Sequence, residues 1–162
     1  ETAVRKHAEL IWVETPTEIF PGVYLTGVVP RITSFEDSGG PFFLDTEGRQ
    51  PDLFHDDQAL FLDTPQGTIV MLGCAHAGIV NTLVYIRQLT NGRPIHAVMG
   101  GMHLVSANAE RIAHTIDALR EISADYLMPA HCTGFSGMAH LWHAFQNQYV
   151  PCPVGTVFEL LD

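Results

Sequence analysis

Three histidines of the 162-residue chain fall at one kind of place. Each follows a short apolar run within a few residues: IVMLGCAH (His76), AVMGGMH (His103) and YLMPAH (His131). Imidazole suits zinc, iron, manganese or nickel, and a catalytic cation usually takes three or more protein ligands and keeps one position open to water. A cation held there brings the pKa of that water toward about 7 and polarises a substrate oxygen. Taken alone, a histidine more often packs or meets solvent than ligates. Three at matching positions form a constellation, and the set points to metal.

Such convergence needs parallel strands, because only their exits share one edge of a sheet. The sequence from Gln58 onward supplies the pattern. Ala59–Asp63 and Thr68–Leu72 are apolar runs around TPQG, which predicts a tight hairpin. Ile79, Leu83 and Ile86 share a helical face, Ile95–Met99 is a strand, and Ile112, Ile116 and Leu119 mark a second helix. A strand at Tyr126–Met128, a helix over Ser136–Gln148 and a closing strand at Thr156–Leu161 complete the alternation. Glycines flank the histidines at Gly73, Gly100, Gly101, Gly78 and Gly134, where strands must turn tightly into helices.

Residues 1–57 have a different texture, rich in Pro, Gly and acids, with apolar runs at Leu10–Val13 and Phe20–Thr26. PGVYLTG reads as a strand entered through a Pro-Gly turn, and 38–57 as a long loop or excursion carrying a hairpin. The whole, 1–162, is expected to be a single α/β domain.

Other polar residues take plainer readings. His7, His55, His96, His114, His140 and His143 are expected in loops, in a strand or on helix faces. Cys74 and Cys132, beside two of the three histidines, read as small half-buried residues, with Cys74 a further soft ligand. Asp56–Asp57 is a solvated loop pair, Asp57 alternatively a ligand or a partner orienting a histidine. Asn81, Ser106 and Thr133 are candidates for positioning substrate, with first-turn capping the plainer role for Asn81 and Thr133. The helix after Gly78 aims its N-terminus at the same edge, which favours an anionic substrate group.

Composition narrows the classes. With 46% apolar and 16% charged residues the chain can fold around a core, and a net charge of −10 disfavours nucleic acid and anionic membranes. No run approaches the roughly 18 apolar residues of a membrane span. Three distant cysteines without CxxC spacing predict no disulfide framework, hence a reducing, cytoplasmic setting.

The strings GCAHAGIVNTL (73–83), GGMHL (100–104) and PAHCTG (129–134), with DDQAL (56–60), PTEIFPGVYLTGVVPR (16–31) and SFE (34–36), resemble the metallo-β-lactamase-fold hydrolases. The branch they resemble is the dihydropterin–ribofuranosylaminobenzene-phosphate synthase-like one. The resemblance implies an αββα sandwich and a divalent metal site, zinc first with iron or manganese as alternatives. In the complete fold that site is dinuclear, and its bridging hydroxide attacks an ester, phosphoester, lactam or lactone. By position it assigns His76 and His131 as metal ligands and His103 as a catalytic residue, while Cys74 stands where many relatives carry a bridging Asp.

The superfamily's first metal motif, HxHxDH, is not in the sequence. The resemblance therefore implies that this chain is the C-terminal portion of the sandwich. Its exposed sheet should then pair with a complementary N-terminal half or with a second copy. Two further readings stay open: a metal-binding or scaffolding module without catalysis, and a cysteine–histidine hydrolase using Cys74 or Cys132.

Overall fold

The computed structural model describes residues 2–38 and 40–159. After a single helical turn α1 (Thr2–Arg5), six strands form one mixed sheet in chain order: β1 (Thr17–Phe20), β2 (Val23–Leu25), β3 (Ala59–Thr64), β4 (Gly67–Leu72), β5 (Ile95–Gly101) and β6 (Tyr126–Ala130). β1–β2 and β3–β4 are antiparallel hairpins, as the PGVY and TPQG turns predict, and β2 pairs antiparallel with β3 although the long 26–58 connection lies between them. β4, β5 and β6 are parallel, joined by α2 (Ile79–Leu89) and α3 (Ala109–Ile122), with α4 (Gly134–Ala144) after β6. The fold is α/β, as the alternation requires.

Two adjacent register rows show how the sheet is used. Tyr24, Phe61, Val70, Val98 and Leu127 align across five strands and join Ile79, Leu83, Ile86, Leu119 and Leu141 of the helices in one core. Val70, Val98 and Leu127 are at most 1% exposed, so each contributes on the order of 1.5–3 kcal/mol by burial. The next row, Leu25, Leu60, Met71, Met99 and Met128, is equally apolar and lies on the opposite face. There the covering comes from a segment with Cys152, Thr156 and Phe158, which leaves Met71 44% exposed.

Two expectations need correction. Residues 156–159 form no strand, and 160–161 lie outside the described residues. The last helix ends at Ala144 rather than near Gln148, because the chain turns at Phe145 to bring Gln148 and Tyr149 against Leu127. The apolar run Leu10–Val13 lies in no helix or strand, and Ile11 and Trp12 stand more than 70% exposed. The excursion 38–57 is a loop closed by one antiparallel bridge, Phe43 to Pro51.

Candidate metal centre

The exits of the three parallel strands are level, with Leu72 beside Gly100 and Gly101 beside Ala130. The segments that follow therefore meet at one rim. Cys74 follows β4, His103 follows β5, and His131 opens a 3₁₀ turn, His131–Thr133, after β6. At that rim the Cys74 Sγ lies 3.1 Å from His131 Nε2, and the Cys132 Sγ donates to the Cys74 carbonyl at 3.3 Å. The two sulfurs and the imidazole nitrogen all fall within 4.8 Å of one another.

Cys74 and Cys132 come from strands that are not neighbours, so the contact crosses over β5. Gly101 makes that crossing feasible. A Cβ on it would stand 2.5 Å from the Gly73 carbonyl and 2.7 Å from the Cys132 Sγ. Burial pushes the Cys132 thiol up to about 11, with neighbouring Cys74 adding to the rise. The backbone is correspondingly unusual: Ala75, His103 and His131 hold φ near +50°, a region that costs non-glycine residues on the order of 1–3 kcal/mol.

A second group lies beside the first. The His76 ring packs on that of His103 with centroids 4.2 Å apart, and Phe54 stacks on His76 at 4.2 Å and 18°. The Nδ1 atoms of both histidines are buried without a partner among the described residues. His103 is 6% exposed and its Nε2 lies 3.0 Å from the Ser38 carbonyl. Burial first, and the His76 ring next, hold its pKa below the ordinary histidine value. Phe54, Asp56, Asp57, Gln58, Cys74 and His76 line one open cleft of about 330 Å³. Asp57 reaches this cleft as an acceptor for the Ala77 N–H at 2.8 Å.

The remaining predicted residues serve the frame. Asn81 is fully buried: its Oδ1 accepts from the N–H groups of Ile32 and Thr33, and its Nδ2 donates to the Ala77 carbonyl. Thr133, also buried, donates to the Ala130 carbonyl and accepts from the Met102 N–H. Ser106 is exposed and lines a separate cleft with Ser34, Asp37, Asn108 and Arg111. The N-terminus of α2 already has its acceptor, because Glu36 accepts from the N–H groups of Val80 and Asn81 at 2.9 Å each. An outside anion is therefore not what that helix end takes. Gly78 (φ 106°) makes room, since a Cβ there would lie 2.3 Å from the Glu36 carboxylate. Burial raises the Glu36 pKa against the lowering effect of those two hydrogen bonds.

Sequence reasoning read Cys132 as a packing residue or a nucleophile rather than as a ligand, and passed over Glu36. A cysteine within two residues of a histidine in both GCAH and PAHC was the available signal for Cys132. The plain readings of His96, His114 and His140 match their contacts with Asp125, Phe35 and the Ser136 carbonyl.

Compared with solved structures, the chain superposes on the crystal structure of Tm1679, a metal-dependent hydrolase of the β-lactamase superfamily. The TM-score is 0.76 and the sequence identity 29%, over 93% of this chain and 58% of that one. Over its length this chain has the fold of that superfamily. Among curated relatives, the 7,8-dihydropterin-6-methyl-4-(β-D-ribofuranosyl)-aminobenzene-5′-phosphate synthase of Methanocaldococcus jannaschii is 27% identical over 91% of the chain. An uncharacterised protein of that organism, MJ0448, is 32% identical over 96%. The chain spans about half the length of both, 52% and 56%. No family model matches it.

The residues at the rim fit the metal that the superfamily implies. Two thiols and an imidazole nitrogen are a donor set for zinc or another borderline cation. Two unpartnered imidazole nitrogens lie buried on the neighbouring histidines.

Proposed function

We propose that this chain carries part of the active site of a metal-dependent hydrolase acting on an ester, phosphoester, lactam or lactone. The observation that supports it most is the meeting of Cys74 Sγ, His131 Nε2 and Cys132 Sγ within 4.8 Å at the strand exits. In this reading Cys74, His131 and Cys132 hold a divalent cation, zinc before iron or manganese, and His76 stands next to them as a further ligand. The cation, when bound, supplies Lewis acidity and acidifies water. His103, kept neutral by burial, accepts or relays a proton; Phe54 and Phe42 wall the His76 side against solvent. A second metal and the HxHxDH ligands come from residues beyond this sequence.

The partner in this proposal is the N-terminal half of the sandwich. The row Leu25, Leu60, Met71, Met99 and Met128 gives it an apolar sheet to cover. Neither nucleic acid nor membrane is expected, given the net charge of −10 and the absence, among the described residues, of any helix long and apolar enough to cross a bilayer. Two reduced thiols in the site favour a cytoplasmic location.

A second reading rests on one distance. Cys74 Sγ at 3.1 Å from His131 Nε2 is the thiol–imidazole pair of a cysteine nucleophile and its base, a partner that the sequence alone did not define. The relative named as a synthase adds bond formation as an alternative outcome of either chemistry. One experiment separates these readings: metal content after gentle purification, with turnover of a chromogenic phosphodiester and a lactone under chelator or iodoacetamide. The metal reading expects bound zinc and activity lost to the chelator. Activity that survives the chelator and falls to iodoacetamide favours the cysteine nucleophile. Bound metal with both substrates untouched favours a binding module.

A further inference from the structure

We infer that the ion pair between Arg111 and Asp37 is a positioning device that fixes the tautomer of His103 through the Ser38 carbonyl. The inference rests on reading His103 as a working member of the site.

A carbonyl oxygen can only accept. The 3.0 Å contact between His103 Nε2 and the Ser38 carbonyl therefore places the proton on Nε2 and leaves Nδ1 as the lone pair. That Nδ1 is buried, without a partner among the described residues, on a ring packed against His76. What holds the carbonyl there is the segment 33–38, which is pinned on both sides. Glu36 is tied to the first turn of α2 through Val80 and Asn81. Asp37 is tied to the first turn of α3, accepting from Arg111 Nη1 at 2.5 Å.

The Arg111 end of this strap is itself anchored. Its side chain is only 5% exposed, and its backbone N–H is held by the Asn108 side chain that caps α3. Asp37 itself is 75% exposed, but the guanidinium it meets is buried, and taking that carboxylate away leaves the buried charge worse compensated. Ser38 follows Asp37 directly, and any displacement of Asp37 carries the carbonyl away from His103. A cation or proton donor meeting His103 thus always meets the Nδ1 lone pair.

Long-range ¹H–¹⁵N spectra of the histidine side chains test this without metal or substrate, at about pH 8, above the ordinary histidine pKa of about 6.5. The chain should show His103, assigned against His103→Gln, as a single Nε2–H species. Asp37→Ala and Arg111→Met should let an Nδ1–H signal appear beside it, whereas Asp37→Asn, which keeps an acceptor for Arg111, should retain the single species. A folded Asp37→Ala with unchanged His103 signals would overturn the inference. So would an Nδ1–H species in the unmodified chain, whatever the variants do. A chain that neither binds metal nor hydrolyses substrate would sink the functional reading and leave this result standing.

Discussion

Two groups of side chains share the rim of this sheet and are built on opposite terms. Cys74, His131 and Cys132 form a soft cluster whose nitrogen comes from an exposed histidine. His76 and His103 form an aromatic-walled pair whose Nδ1 atoms are buried and, among the described residues, unpartnered. The first group depends on what is missing, a side chain at Gly101. The second depends on what is present, a loop that crosses from α2 to α3 and supplies a carbonyl and two carboxylates. Donor availability and donor orientation are thus handled by different parts of the chain, and they should fail separately.

The largest effect should come from Gly101→Ala. Its methyl would stand within 2.7 Å of both the Gly73 carbonyl and the Cys132 Sγ. Overpacking of this kind costs about 1–3 kcal/mol, and metal affinity should fall with it while the Ser38 to His103 contact persists. Thermal melts with and without zinc would measure both; unchanged zinc stabilisation would break the separation drawn here.

Glu36→Ala should strike the other group more gently. Losing the carboxylate at the α2 N-terminus should cost about 0.5–2 kcal/mol. It should also loosen the 33–38 strap while leaving metal affinity within twofold. The pH dependence has a definite sign. Burial raises the Glu36 pKa, so the folded chain holds its proton at pH values where the unfolded chain has released it. This contribution to stability is full below the ordinary carboxyl value and fades as pH climbs through the raised one. Denaturant melts across pH 4–8 (about the range over which buried carboxyls titrate) should show that slope in the parent and a flatter one in the variant.

These two regions were not equally legible in the sequence. The strands and helices after Gln58 follow from apolar periodicity, because each element buries one face and short turns join them. The common edge of His76, His103 and His131 followed from strand polarity alone. Which donor meets which did not, because that depends on how far chains approach across β5, a property of Gly101 and of left-handed backbone at Ala75, His103 and His131. Asn81 illustrates the reverse error: a polar residue near a site is attractive as a substrate contact, but here its amide holds Ile32 and Thr33. Nothing local in SFEDS announces that Glu36 will cap a helix more than 40 residues downstream.

Cobalt titration followed in the near ultraviolet tests the central claim most directly, since only thiolate ligands give the strong sulfur-to-cobalt charge-transfer band. The chain should bind cobalt with that band, lose it in the double variant Cys74→Ser/Cys132→Ser, and bind at least about tenfold more weakly in His131→Ala. Cobalt bound without a thiolate band, or a band that survives in the double variant, would contradict the account.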